Sequence, residues 1–273
     1  NIPVLIQQVN QFLSLFAQKF DKFKLLEDEI NHYGHVRVFL PEVKFEEFQK
    51  HLAEFYKQPN KIAEFRAQYK ANQITLDEMI EKLSNIQPSE GFSYHGKRVQ
   101  FKRIQKHYYQ PMLVSEDARL NYLRSVIQVP SEVKFLSKLE TLLQKDDHPF
   151  KRFDWWLFSR IDENYDHINL PYYYPVDNRM AHFRPDFIFW MQKGDEYQIV
   201  FVDPKGTSRT EYQFKVDGFR ELFEEDEAPI TFDYGGMKVN VRLFLFTDDR
   251  AWTADYYRRY WLDSVEEIAE FLV

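Results

Sequence analysis

Two short segments hold residue types that can do chemistry together: Arg184-Pro185-Asp186-Phe187 and Val202-Asp203-Pro204-Lys205-Gly206. Asp203 and Lys205 are two residues apart, so on a strand their side chains leave the same face. Asp186 falls on the preceding strand, and the intervening Lys193-Gly194-Asp195 turn permits a register that sets it beside Asp203. Two converging carboxylates suit a hard divalent cation such as Mg²⁺, which takes oxygen ligands and keeps some of its waters. A lysine beside them can orient a water or offset charge developing on a phosphate oxygen. Pro204 cannot donate to a sheet ladder but keeps its carbonyl, a further oxygen ligand at the strand end. Each pair alone fits a turn or a solvated strand end; their combination on neighbouring strands points to a cation site.

The elements that must position these groups lie after residue 130. Ser131 is placed to cap a helix carrying Val133, Leu136, Leu139 and Leu143 on one face. Residues 153–161 read as a strand, followed by the run Pro171-Tyr172-Tyr173-Tyr174-Pro175. Residues 183–190 and 197–203 read as two further strands, 210–223 as a helix, 239–246 as a buried strand and 255–272 as a final amphipathic helix. The fold class expected is α/β, a central mixed sheet flanked by helices in the order αβββαβ, preceded by a mainly helical region.

In that earlier region Leu5, Val9, Phe12, Phe16, Phe20 and Phe23 form one helical stripe, and residues 36–40 read as a short strand stopped by Pro41. Phe45, Phe48, Leu52 and Phe55 mark a helix ending near Pro59, with Ile62, Phe65 and Tyr69 continuing the period. Thr75 with Glu78 three residues on is a capping box. Residues 85–91 read as a linker, so the expected division is a helical connector over 1–90 and a catalytic domain over 91–273 that opens with a basic hairpin turning at His95-Gly96.

Composition narrows the classes. The 273 residues carry 36 Lys+Arg and 43 Asp+Glu, a net charge of −7, so an all-round basic coat is excluded while a local basic groove is not. Apolar residues make up 44%, enough for a large core rather than general disorder. With no cysteine, thiolate nucleophiles, disulfides and Cys-containing zinc sites are ruled out. The eight histidines show no H-E-x-x-H spacing. No stretch approaches the roughly 18 apolar residues of a membrane span and no signal peptide opens the chain, so a cytoplasmic location is expected. The chain starts at Asn1, which suggests a fragment of a longer protein.

The Pro-Asp strand, the hairpin and the Asp-x-Lys strand end together resemble the PD-(D/E)XK nuclease superfamily. The nearest likeness is to the C-terminal endonuclease domain of type III restriction enzyme Res subunits and related helicase-nucleases. The segments SEVKFLSKLE (131–140), FDWWLFSRIDEN (153–164), LPYYYP (170–175), FRPDFIFW (183–190) and IVFVDPKGTSRTEYQ (199–213) carry the resemblance over about residues 106–245. It implies a restriction-endonuclease-like core, with Asp186 and Asp203 as catalytic metal ligands, Lys205 as the catalytic lysine and the Pro204 carbonyl as a backbone ligand. Glu132 matches the helix acid that completes such sites; an acid in a first helical turn also suits the helix dipole without a metal. Gln213 and Lys215 become candidate phosphate or water contacts.

The activity implied is Mg²⁺-dependent hydrolysis of double-stranded DNA, with Mn²⁺ as a substitute, in a prokaryotic cytoplasm. An ATP-dependent helicase or translocase in the same parent chain and a methyltransferase subunit are the implied partners. The alternative is a non-cleaving DNA-binding or subunit-bridging module with the same fold. The basic stretch 97–106, with Lys102 and Arg103, fits either a DNA-backbone contact or the solvated face of a hairpin. Gly91 to Lys97 mimics the opening of a phosphate-binding loop, but Arg98 stands where a Ser or Thr must reach magnesium, which rejects it.

Overall fold

A computed structural model describes residues 39–84, 91–107, 111–117, 120–123, 126–161, 168–205, 211–250 and 253–270. Its contacts divide the chain into one unit of Val36–Arg103 with Gln110–Gln128, and another that joins Ile104–Tyr109 to Val129–Val273. The basic hairpin thus groups with the helical region, a different division from the one drawn near residue 90. The stripe of Leu5 to Phe23 and residues 85–90 of the expected linker lie outside the described residues.

In the first unit, helix α1 (Glu42–Lys70) follows Pro41 and carries Glu42 in its first turn, where the helix dipole favours an acid. Phe48 and Phe55, seven residues apart on one face, are its buried side chains. The sequence predicts an end near Pro59, yet the helix runs through it. Proline has no N–H to give the carbonyl four residues back, that of Phe55. That carbonyl instead accepts from Arg103 Nη2, whose guanidinium lies over the Phe55 ring at 4.0 Å from its centroid. A cation 44 residues along the chain fills the gap that Pro59 leaves in the ladder.

Helix α2 (Leu76–Ser84) has the expected capping box: the Thr75 N–H donates to Glu78 Oε2 at 2.7 Å and the Glu78 N–H to Thr75 Oγ1 at 3.2 Å. Strands β1 (Gly91–Tyr94), β2 (Lys97–Lys102) and β3 (Met112–Val114) form an antiparallel sheet whose Phe92 and Phe101 meet Phe48 edge-on. His95 and Gly96 turn with φ of 49° and 73°, the left-handed pair of a tight hairpin. Residues 91–97 are therefore hairpin rather than phosphate loop. Phe39 and Leu40 are not in a strand, contrary to expectation; the Phe39 N–H donates to the Tyr122 carbonyl.

The second unit is mixed α/β. Helix α3 (Pro130–Leu143) starts with proline at its first position, where the missing N–H has no helical partner to lose. Ser131 accordingly lies inside the helix instead of capping it. The buried face is Glu132, Phe135, Leu136, Leu139, Leu142 and Leu143, with Val133 only half-buried. There follow β4 (Trp155–Arg160), β5 (Leu170–Tyr174), β6 (Arg179–Phe183), β7 (Phe187–Lys193), β8 (Glu196–Pro204) and α4 (Tyr212–Phe223). Then come β9 (Glu224–Glu225), β10 (Ala228–Pro229), β11 (Thr231–Tyr234), β12 (Met237–Phe246), β13 (Trp261–Leu262) and α5 (Glu267–Glu270).

The main sheet runs β11-β12-β8-β7-β4, with β13 also on β12. β7 is antiparallel to β4 and β8, whereas β12 and β8 are parallel. On one face Phe135 of α3 meets Phe187, Phe189 and Phe246 at 5.0, 6.4 and 5.2 Å between centroids. On the other, Ile188, Trp190, Ile199 and Phe201 form a core with Val216 and Phe219 of α4 and with Tyr172 and Phe183 of the β5–β6 hairpin.

Three expectations need correction here. Residues 183–190 are two strands, because Pro185 cannot join a ladder and the chain changes partners there, β6 pairing with β5 and β7 with β4 and β8. The aromatic run after Leu170 is itself a strand, β5. The final helix is mostly absent: Tyr260, Trp261 and Leu262 are all buried in succession, which no single helical stripe allows, and the last two pair with Leu245 and Phe246.

Gly218 sets how closely α4 meets β5. A Cβ there falls 2.5 Å from the Tyr172 Cβ and 2.8 Å from the Pro171 carbonyl oxygen. Gly218→Ala is expected to destabilise the unit by about 1–3 kcal/mol through overpacking, read as a lowered denaturant midpoint; an unchanged midpoint contradicts this close approach.

Candidate active site

The last rung of β7 against β8 pairs Phe187 with Val202, which leaves Asp186 just before β7 and Asp203 just past that rung on β8, each next to a proline, Pro185 and Pro204. Neither proline has an N–H, and the ladder stops. The two aspartates therefore stand at its open end, on the α4 face by alternation from Ile188 and Phe201. The Asp186 carbonyl accepts the Ile161 N–H at 2.8 Å, and the Lys205 N–H donates to the Phe246 carbonyl at 2.8 Å. Backbone from β4 and β12 thus fixes both flanks.

Asp203 is 2% exposed. Lys205 Nζ makes an ion pair with Asp203 Oδ2. The Asp186 carboxyl is held well above the ordinary carboxylate range, first by burial, then by the charges of Asp203 and Glu132 and a hydrogen bond with Asp203; Lys205 opposes the shift. Lys215, from the second turn of α4, is pushed down by burial and by the charge of Lys205, and held up by Asp203, Glu211 and Asp186. Both ammonium groups lie over the buried Phe183 ring, Lys205 at 5.5 Å and Lys215 at 5.2 Å from its centroid. The end of β6 thus gives one apolar ring to both ammonium groups beside the two aspartates.

The other expected site residues lie at several places in the fold. Glu132 is buried in the first turn of α3, where Arg160 Nε lies 3.6 Å from its Oε2. Pro204, the last residue of β8, pairs in register with Phe246. Gln213 is exposed on α4. Lys102 and Arg103 belong to the first unit, where Arg103 is engaged with Phe55. Sequence reasoning missed Arg160, although it closes β4 opposite Phe187, one residue from Asp186. It also missed Phe183, whose place under the lysines depends on the unforeseen β5–β6 hairpin.

Among the described residues no three His, Cys, Asp or Glu side chains are gathered as a metal-holding group. The donors brought together are the Asp186 and Asp203 carboxylates. A two-carboxylate set fits Mg²⁺ or Mn²⁺, which complete their octahedra with water and substrate phosphate. The confinement of like charge on Asp186 is the kind of strain that a divalent cation relieves.

A carboxyl with a raised folded-state value holds its proton in the folded chain after the unfolded chain has lost it. Stability therefore falls as pH rises from the ordinary carboxylate range through the folded value, and stays reduced above it. In EDTA, Asp186→Asn is expected to melt above wild type at pH 8, with the gain shrinking toward pH 4. Thermal melts across that range check this; a variant melting below wild type at pH 8 contradicts the confined charge.

A family model described as the YagJ family matches residues 125–233. That span includes α3, the β4 to β8 strands and α4, and with them Glu132, Arg160, Asp186, Asp203, Lys205 and Lys215. No curated protein and no solved structure matches the chain.

Proposed function

We propose that this chain is a divalent-cation-dependent DNA endonuclease module with a restriction-endonuclease-like core. The observation that carries the reading is the buried Asp203 carboxylate at the end of β8, ion-paired to Lys205, with Asp186 just before the antiparallel β7 and close enough for the charge of Asp203 to raise it. Chain order supports it. With the β5–β6 hairpin and the short strands β9 to β11 set aside, the second unit runs from α3 to β12 as α3, β4, β7, β8, α4, β12, a helix, three antiparallel strands, a helix and a strand parallel to the third. That is the αβββαβ order of the resemblance.

A bound Mg²⁺ supplies Lewis-acid stabilisation of the phosphoryl oxygens and lowers the pKa of water at the site. Asp186 and Asp203 hold it, and the cation offsets their mutual repulsion. Asp203 fixes the Lys205 ammonium beside the scissile phosphate, where negative charge builds in the transition state. Lys215 faces the same pocket across Phe183 and neutralises a flanking phosphate oxygen. Water attacks phosphorus, the P–O3′ bond breaks, and the products are a 5′ phosphate and a 3′ hydroxyl. No covalent intermediate with the chain is required. The likeness to restriction and helicase-nuclease systems adds an ATP-driven motor in the parent chain, a methyltransferase partner and a prokaryotic cytoplasm to the reading; among the described residues no helix is long and apolar enough to cross a membrane.

One observation favours a non-cleaving DNA-binding or bridging module instead. Asp203 and Glu132 each have a cation of their own, Lys205 and Arg160, so much of the cluster's charge is balanced within the chain. Plasmid incubation separates the two. The nuclease reading expects cutting in Mg²⁺ or Mn²⁺ that stops in EDTA and in Asp203→Ala; cutting that survives the substitution rejects this site, and no cutting in any metal favours the binding module. Lys205→Ala is expected to lower the cleavage rate by about 10²–10³-fold or more while DNA affinity stays within a few-fold, because the lysine acts on the transition state. Lost affinity with unimpaired turnover contradicts that role.

A further inference from the structure

The β5–β6 hairpin lends Phe183 to the proposed site, while its other face has no part in the proposed reaction. Opposite residues of an antiparallel pair leave the same side of the ribbon, and successive rungs alternate between its two faces. Leu170 with Phe183 and Tyr172 with Ala181 are buried, so Pro171 with His182 and Tyr173 with Met180 point the other way. Tyr173 and Met180 are 51% and 50% exposed, and Val176 in the turn is 72% exposed. A single exposed apolar side chain needs no explanation, but here a ring and a thioether share one rung. The inward face fastens the hairpin to α4, the helix that carries Lys215. Tyr172 lies against Gly218, the Tyr174 ring meets Phe214 edge-on at 5.8 Å, and the Tyr174 hydroxyl donates to Glu211 Oε1 at 2.6 Å. The Tyr173 hydroxyl donates to Asn178 Oδ1 at 2.8 Å, which holds the exposed ring in place.

The chemistry of this face selects its partner. Pro171, Tyr173, Met180 and His182 include no acid. Three residues from Met180 along β6, about 10 Å, Phe183 lies under the ammonium groups of Lys205 and Lys215. An aromatic platform leading to a pair of cations is the combination that holds unpaired nucleotides, the base on the ring and the phosphate on the cation. A base within a duplex has both faces covered by its neighbours and offers neither to Tyr173. We propose that Tyr173, with Met180 beside it, stacks on an unpaired nucleobase whose strand continues onto Lys205 and Lys215, so that the site takes single-stranded or frayed DNA in preference to intact duplex. The proposal rests on the nuclease reading for the phosphate contacts of the two lysines, and stacking at Tyr173 is measured without any cutting.

Fluorescence anisotropy in EDTA, with a short labelled oligothymidine, a duplex of the same length and an abasic oligomer of the same length, tests this. Wild type is expected to bind the oligothymidine about tenfold tighter than the duplex. Tyr173→Ala is expected to lose about tenfold on the oligothymidine and to stay within about twofold of wild type on the duplex and on the abasic oligomer. Tyr173→Phe keeps the ring and binds like wild type. Equal affinity of wild type and Tyr173→Ala for the oligothymidine, or an equal loss on the abasic oligomer, overturns the proposal. So does a wild-type dimer that Tyr173→Ala turns into a monomer in sedimentation, since the face then belongs to a second copy. Thermal melts confirm folding; should Tyr173→Ala fail to fold, Met180→Ala on the same rung is read against the same three ligands, with a loss confined to the oligothymidine expected and no loss overturning the proposal. Failure of the nuclease reading looks different: the stacking pattern holds, but no DNA is cut in any metal. Cutting that needs Asp203, with no effect at Tyr173, rejects this proposal alone.

Discussion

Repulsion between two carboxylates held at the end of a β-ladder is the constraint on which the rest of the second unit depends. Phe187 and Val202 form the last pair of β7 and β8, and Asp186 and Asp203 are the residues next to them, where Pro185 and Pro204 cannot extend the ladder. An apolar core brings them there: Ile188, Trp190, Ile199 and Phe201 continue the same face into contact with α4. The folded chain must then keep like charge in a buried place: burial and the charges of Asp203 and Glu132 raise the Asp186 carboxyl, and the Lys205 ammonium pairs with Asp203. Positive charge from Lys205 and Lys215 is drawn in around the pair, and Phe183 gives both ammonium groups a common apolar support.

Local signals in the sequence reported local structure well. The Thr75–Glu78 box, the His95-Gly96 turn and the hairpin at Gly194 each need only a few neighbouring residues, and each forms as its residues indicate. The meeting of Asp186 with Asp203 was legible for the same reason: a tight turn fixes register, and register fixes which side chains meet. The alternation of helix and strand after residue 130 was legible from periodicity, apart from the β5–β6 hairpin, the break at Pro185 and the last helix.

What was hidden depends on distant partners. Pro59 reads as a helix end until Arg103 arrives to take the Phe55 carbonyl. The run 170–174 looks like an aromatic loop until residues 179–183 pair with it. Residues 255–262 carry helix-like composition, yet the edge of β12 captures Trp261 and Leu262. Glu132 was singled out by likeness, but its pairing with Arg160 follows only from placing β4 beside β7 and α3 across them. Local chemistry decides turns and caps; tertiary capture decides edges, ends and counter-ions.

The Arg160–Glu132 and Lys205–Asp203 ion pairs set cations of the chain beside its acids. Crystals grown with Mn²⁺ and examined by anomalous scattering test the central claim most directly. The account predicts a peak between Asp186 and Asp203, within about 2.0–2.3 Å of an oxygen of each carboxylate, as expected for small octahedral cations. A saturated crystal with no peak there contradicts it.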